Sequence, residues 1–252
     1  MQPNQRGAEA DDEIGLALRE AARRRAKLAA ALAGGEGVLR VVIDCGFVHT
    51  LQIQTLLKAQ LRSLAKQVQS AVGHNRRAEQ PACLQVASWS GDLAAYADER
   101  MGAASWPLVK HARPILELFD PRDIVVLSPD AEQPLLDLDL GRVYVIGGIV
   151  DRSIIRGVTA GFAAEHGLET RRLPTIELAE QLGLGPGVSK RPVLNICDVV
   201  AAMLRFRSNG GDWADALDAA IPRRKRTAAA APRQTAAAAA SAASAAVSGG
   251  SR

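Results

Sequence analysis

VYVIGGIVD, residues 143–151, reads as a strand that runs straight into two glycines and then an aspartate. One reading is a tight turn followed by a helix-capping acid. The other is a pocket wall, where Gly147 and Gly148 let backbone approach a ligand closely and the Asp151 carboxylate faces a reacting atom. The stretch alone leaves both open, so the fold is read outward from it.

VLRVVID (38–44) is mostly β-branched and closed by an acid. CLQVAS (83–88) and DIVVLS (123–128) are further short apolar strands, and ETRRLP (169–174) is another. Helical stretches lie between them. Residues 53–72 carry an apolar stripe of Leu57, Leu61, Leu64, Ala65 and Val68; residues 91–100, 131–136 and 159–167 are shorter, the last stopped by Gly167. VLNICDVVAAMLRF (193–206) reads as a strand-to-helix passage, and DWADALDAAI (212–221) as a last short helix. Strands alternating with helices predict an α/β fold with a mostly parallel sheet covered on both faces.

Outside that unit the chain changes character. Residues 1–13 are acidic and expected to be without structure, and residues 14–37 form an Ala-rich basic helical arm ending near Gly34 and Gly35. The main domain runs from 38 to 226, followed by an Ala/Ser-rich tail, 227–252, that patterns no core. The formal charge of +4 is unevenly spread, with Arg23, Arg24, Arg25 and Lys27 in the arm and RRKR at 223–226. Such clusters are the electrostatic footprint of a polyanion, and equally of a solvated helix face.

Three distant cysteines and four histidines without H-x-x-x-H spacing give no support for a disulfide framework or a metal site. No apolar run approaches the roughly 20 residues that span a bilayer, and the acidic beginning lacks a secretory or transit pattern. Nucleus or cytoplasm is the expected address. The dinucleotide signature, the P-loop and the G-x-S-x-G elbow are all missing. Open α/β sheets bind ligands beyond the carboxyl ends of their strands, and Ala87-Ser88, Leu127-Ser128 and Gly147-Gly148 occupy three such ends. A glycine-lined strand end, a carboxylate and basic surface elsewhere suit group transfer to a nucleic-acid base. S-adenosylmethionine would bring its own activated methyl group, leaving the protein to orient it and deprotonate the acceptor.

VVIDCGF, SLAKQVQ, NRRA, DIVVLSPDAE, RVYVIGGIVDRS, RRLP and GDWADALDAAIPRRK occur in this order. The series resembles the SPOUT-class tRNA methyltransferases that act on N1 of the purine at tRNA position 9, over roughly residues 38–226. The resemblance implies an α/β fold with a C-terminal trefoil knot forming the S-adenosylmethionine pocket. It also implies a basic N-terminal helix that grips tRNA, and a monomer.

Carried over by position, Asp151 matches the family's proposed general base. Leu127, Ser128, Gly147 and Gly148 match cofactor-binding positions. So do Arg152, Ser153, Ile154, Ile155 and Arg156, then Leu173 and Pro174, then Val193, Leu194 and Ile196 in the last pocket loop. Asn75, Arg76 and Arg77 match NRR, which reads either as a segment near the substrate or as a helix-terminal loop held by local hydrogen bonds; Arg23, Arg24, Arg25, Lys27, Arg223, Arg224, Lys225 and Arg226 are expected on tRNA phosphates. Guanine is favoured over adenine, because guanine N1 carries a proton that a base must remove. Where the family has Asn-His or Asn-Gln, this chain has Cys197-Asp198, and the loops after the first strand and at GLGPGVSK are longer. The Cys197-Asp198 change motivates the alternative of a tRNA-binding scaffold or processing-complex subunit without turnover.

Overall fold

The computed structural model describes residues 5–50, 54–150, 157–184, 192 and 194–222. Its frame is a six-stranded sheet in the order β3-β2-β1-β5-β4-β6, with every pairing parallel. The strands are β1 (Arg40–Asp44), β2 (Cys83–Ala87), β3 (Val109–Lys110), β4 (Ile124–Leu127), β5 (Val143–Gly147) and β6 (Glu169–Arg171). The expected α/β architecture with a parallel sheet is therefore present. The short edge strand β3 was not legible as a strand.

Burial on both faces explains why β1, β4 and β5 read as continuous apolar runs rather than alternating ones. Val41, Ile43, Val125, Tyr144 and Ile146 face the larger core, under helices α2 (Gln54–Arg77), α3 (Gly91–Met101), α5 (Ile196–Ser208) and α6 (Trp213–Ala220). Val42, Val126, Val143 and Val145 face a smaller core with Ile115 and with Ala163 of α4 (Val158–Glu165). Tyr144 brings a hydroxyl into the larger core, where it accepts the Asp139 N–H at 2.7 Å.

Of the stripe expected on α2, Leu61, Leu64, Ala65 and Val68 are buried, and Ala71 and Val72 extend it; the side chain of Leu57 lies outside the described residues. α5 and α6 close around the stacked rings of Phe206 and Trp213, whose centroids lie 4.2 Å apart. Asp212 caps α6 by accepting from the N–H groups of Ala214 and Asp215.

Three expectations are corrected. Helix α1 spans Gln5–Leu32, so it begins well before Ile14 and takes in acidic residues expected to be without structure. Residues 131–136 are not helical. Pro134 has no N–H for a helix and disfavours helical backbone in the residue before it. Instead it bridges Arg172, whose N–H donates to Gln133 O at 3.0 Å and whose carbonyl accepts from Leu135 N at 2.7 Å. Finally, the described part of the passage after residue 192 contains no strand; α5 starts directly at Ile196.

Candidate active site

The chain moves outward from β1 to β2 and β3 on one side, then fills the other side with β4, β5 and β6. The carboxyl ends of β1 and β5 thus flank the point where strand order reverses, the usual place for a ligand crevice in such sheets. Asp44 and Gly147 are register partners there. Gly148 continues past the pair, and its N–H donates to Asp44 O at 2.7 Å.

The glycines now have a physical reason. A Cβ on Gly148 would lie 2.6 Å from the carbonyl oxygen of Asp44 and 3.1 Å from Cys45 Cα. A Cβ on Gly147 would lie 2.9 Å from Thr159 Oγ1, in the first turn of α4. What these residues let approach closely is the end of β1 and the start of α4. The smooth wall that results is a consequence of that packing.

Asp44 is buried. Its Oδ1 accepts from Gly46 N at 2.9 Å and from Ser88 Oγ at 3.3 Å. Burial pushes its carboxyl above the ordinary carboxylate range, against the opposing pull of those two hydrogen bonds. Ser88 holds φ +55°, the one described non-glycine residue in the left-handed region. The acid that closes VVID is visible in the sequence, whereas this cluster is not; its one local signal is an Asp followed at once by Cys-Gly.

Next in the sheet, Leu127 and Ser128 end β4, both buried. Ser128 N donates to Arg171 O at 2.9 Å, which carries the β4–β6 ladder one residue further. Beyond β6, Arg172 is buried and donates to both oxygens of Glu177, at 2.7 and 2.6 Å. Leu173 follows with its side chain half-buried on the main core, and Pro174 is buried.

The last contribution is the amino end of α5. Ile196 N donates to Gln67 Oε1 of α2 at 2.7 Å, so a neighbouring helix satisfies an N–H that α5 itself leaves open. Asp198 Oδ2 accepts from Asn195 Nδ2 at 2.8 Å and from Asn195 N at 3.3 Å. Its negative charge therefore sits where a helix amino end favours one. Burial first, then the Asp198 charge, pushes the Cys197 thiol up to about 11, which leaves it protonated and inert. The Cys197-Asp198 pair reads as a helix start.

Val150 after β5, Leu173 after β6 and Leu194 before α5 each rest an apolar side chain on the main core while leaving part of it exposed. Partly exposed aliphatic groups beside strand-end backbone suit an adenosine-bearing cofactor, which needs an apolar slot with peptide hydrogen-bonding groups at its rim. These partly exposed aliphatic side chains are of a kind that fits such a group.

Over residues 2–226 the chain matches the family model described as tRNA (guanine(9)-N(1))-methyltransferase TRM10/TRM10A. The chain belongs to this family. It is 32% identical over 189 residues to tRNA methyltransferase 10 homolog A of Rattus norvegicus, covering 74% of this chain and 52% of that protein. It is 30% identical over 188 residues to tRNA (guanine(9)-N1)-methyltransferase of Eremothecium gossypii, covering 74% and 59%. The chain spans about half the length of the curated relatives it matches. Among solved structures, full-length spTrm10 in its SAH complex is similar with a TM-score of 0.62 at 25% identity, covering 75% of this chain and 99% of that one.

Some residues expected at the TRM10-family site lie outside the described residues: Asp151, Arg152, Ser153, Ile154, Ile155, Arg156, Val193, Arg223, Arg224, Lys225 and Arg226. The described basic residues divide. Arg23, Arg25 and Lys27 are exposed on α1, as is Arg24 in an ion pair with Glu20. Lys27 Nζ donates to Glu79 O at 3.3 Å, which sets the end of α1 beside the exposed Arg76 and Arg77 at the end of α2. The end of α2 and the last residues of α1 lie at the amino ends of β1 and β2, where Cys83 Sγ donates to Leu32 O. Arg76 and Arg77 therefore stand at the opposite ends of the strands from Asp44 and Gly148.

For Asn75 the local hydrogen bonds of a helix-terminal loop are present. It is fully buried, its Nδ2 donates to Ala82 O at 2.9 Å, and its Oδ1 accepts Ala82 N–H at 2.8 Å. The amide clamps the turn from α2 to β2 and has no free face for RNA. Asn75→Ala would orphan two buried peptide groups and is expected to destabilise the fold by about 3 kcal/mol. Urea unfolding should show the lowered midpoint, with tRNA affinity of the folded variant unchanged.

Proposed function

We propose that this chain transfers a methyl group from S-adenosylmethionine to N1 of the purine at position 9 of tRNA, with guanine preferred. The observation that carries this reading is the family match across residues 2–226. The reversal point of the sheet, with a packed glycine wall and flanking strand ends, supports it independently.

S-adenosylmethionine supplies a methyl group already activated on its sulfonium. The protein's part is to bind, orient and manage a proton. Leu127, Ser128, Gly147, Gly148, Leu173, Pro174, Leu194 and Ile196 are proposed to form the described part of the cofactor slot. Arg152, Ser153, Ile154, Ile155, Arg156 and Val193 complete it by the family resemblance. Asp151 is proposed to take the N1 proton of guanine, with adenine needing no such step. A trefoil-knotted threading of the connections after β4, β5 and β6 is part of the same proposal, as is action as a monomer.

Arg23, Arg24, Arg25, Lys27, Arg76 and Arg77, with RRKR at 223–226, are proposed to hold tRNA phosphates. The separation of Arg76 and Arg77 from the carboxyl ends of the strands suits a substrate much longer than a nucleotide, since phosphate contacts position the RNA while the site acts on one exposed base. No helix among the described residues is long and apolar enough to cross a membrane.

Isothermal titration of the purified chain with S-adenosylmethionine tests the cofactor half of this reading. Saturable binding of one molecule per chain is expected; no heat at millimolar ligand would contradict it. Asp198 caps α5, which accounts for an acid at this position; a chain that binds the cofactor and tRNA but transfers no methyl would favour the scaffold reading.

A further inference from the structure

Asp130 stands in the turn after β4, outside every role assigned so far. Its N–H donates to Ser128 Oγ at 3.2 Å, and Ala131 N donates to Ser128 O at 3.3 Å, so the turn closes on the buried end of the strand. The carboxylate reaches across the chain: Oδ2 accepts the N–H of Gly157 at 3.1 Å. Gly157 holds φ +79° immediately before α4, whose amino end favours a negative neighbour. Thr159 in the same turn already lies against Gly147, where an added Cβ would come within 2.9 Å of its Oγ1.

The connection from β5 to α4 therefore runs between two fixed ends. At one end Gly148 N is bonded to Asp44 O at 2.7 Å; at the other Gly157 N is bonded to Asp130. Asp151 belongs to the residues between them. Each end is tied to a strand terminus, β1 in one case and β4 in the other.

We propose that Asp130 is a positioning residue for methyl transfer: by accepting the Gly157 N–H it fixes the α4 end of the connection that carries Asp151. This rests on the role given to Asp151 above. Asp130 touches neither the base nor the reacting methyl in this account, and its effect passes through the backbone. The acceptor oxygen matters more than the charge, so asparagine should replace it and alanine should not.

The test compares Asp130→Ala and Asp130→Asn in the full chain, with a guanine-9 tRNA transcript and S-adenosylmethionine as substrates. Asp130→Ala is expected to lower kcat about tenfold, as loss of a charge-assisted hydrogen bond does when it orients a reacting group. KM for tRNA should stay within about twofold, since no tRNA contact is removed. Hydrogen exchange of the Gly157 amide should speed up in this variant. Asp130→Asn should keep kcat within about threefold of the parent and keep the amide protected. Wild-type kcat in Asp130→Ala, or equal loss in both variants, would overturn the positioning role while leaving the proposed function standing. A parent chain that transfers no methyl would overturn both.

Discussion

Asp151→Asn is expected to lower methyl transfer to a guanine-9 transcript by about 10²–10⁴-fold, the range a positioned general base contributes. Asparagine matches the carboxylate in size and keeps one acceptor oxygen, but it cannot take the N1 proton. The dissociation constant for tRNA should stay within about threefold, because the substitution removes none of the phosphate contacts proposed for α1 and the end of α2. Single-turnover transfer, with binding measured separately, checks both halves. The same substitution gives a sharper contrast on adenine. Adenine N1 offers a lone pair, so any adenine activity should be far less sensitive to it. Equal losses on both purines would mean that Asp151 orients rather than deprotonates.

Gly148→Ala is expected to be the most damaging alanine substitution at the strand ends. Its Cβ would meet main-chain atoms, 2.6 Å from Asp44 O and 3.1 Å from Cys45 Cα, and main chain has no rotamer to escape into. Separating β1 from β5 there also stretches the 2.7 Å hydrogen bond from Gly148 N. The cost is about 3 kcal/mol, visible as a lowered denaturation midpoint, with methyl transfer lost alongside. Gly147→Ala is the control. Its Cβ meets the tip of Thr159 at 2.9 Å, a side chain that rotates, so about 1 kcal/mol is expected. Neither glycine has positive φ, so the backbone itself admits alanine at both places. Equal effects would mean that the wall is not built by the β1–β5 approach.

The strands were legible because a parallel sheet buried on both faces writes itself as short β-branched runs, as in VVID and IVVL. Helix α2 was legible through Leu61, Leu64 and Val68, which keep a helical period. Residues 131–136 misled because Leu135 and Leu136 look helical in isolation, whereas pairing with Arg172 and the missing N–H of Pro134 decide the outcome. Long-range pairing leaves no local trace. The same holds at the site. Gly147, Gly148 and Asp151 drew notice from composition and order alone. The clamps that organise their surroundings join residues far apart in the chain: Asp44 to Ser88, Asp130 to Gly157, Gln67 to Ile196. At Asn75 the sequence leaves substrate contact and local hydrogen bonding equally open, and only its partners at Ala82 decide for the second.

The most direct test is methyl transfer from labelled S-adenosylmethionine to unmodified tRNA transcripts that differ only in carrying G or A at position 9, with the product nucleoside identified by mass spectrometry. N1-methylguanosine on the G transcript, with little or no N1-methyladenosine on the other, is the predicted result. No methylated nucleoside from either transcript, with folded protein that binds tRNA, would contradict it.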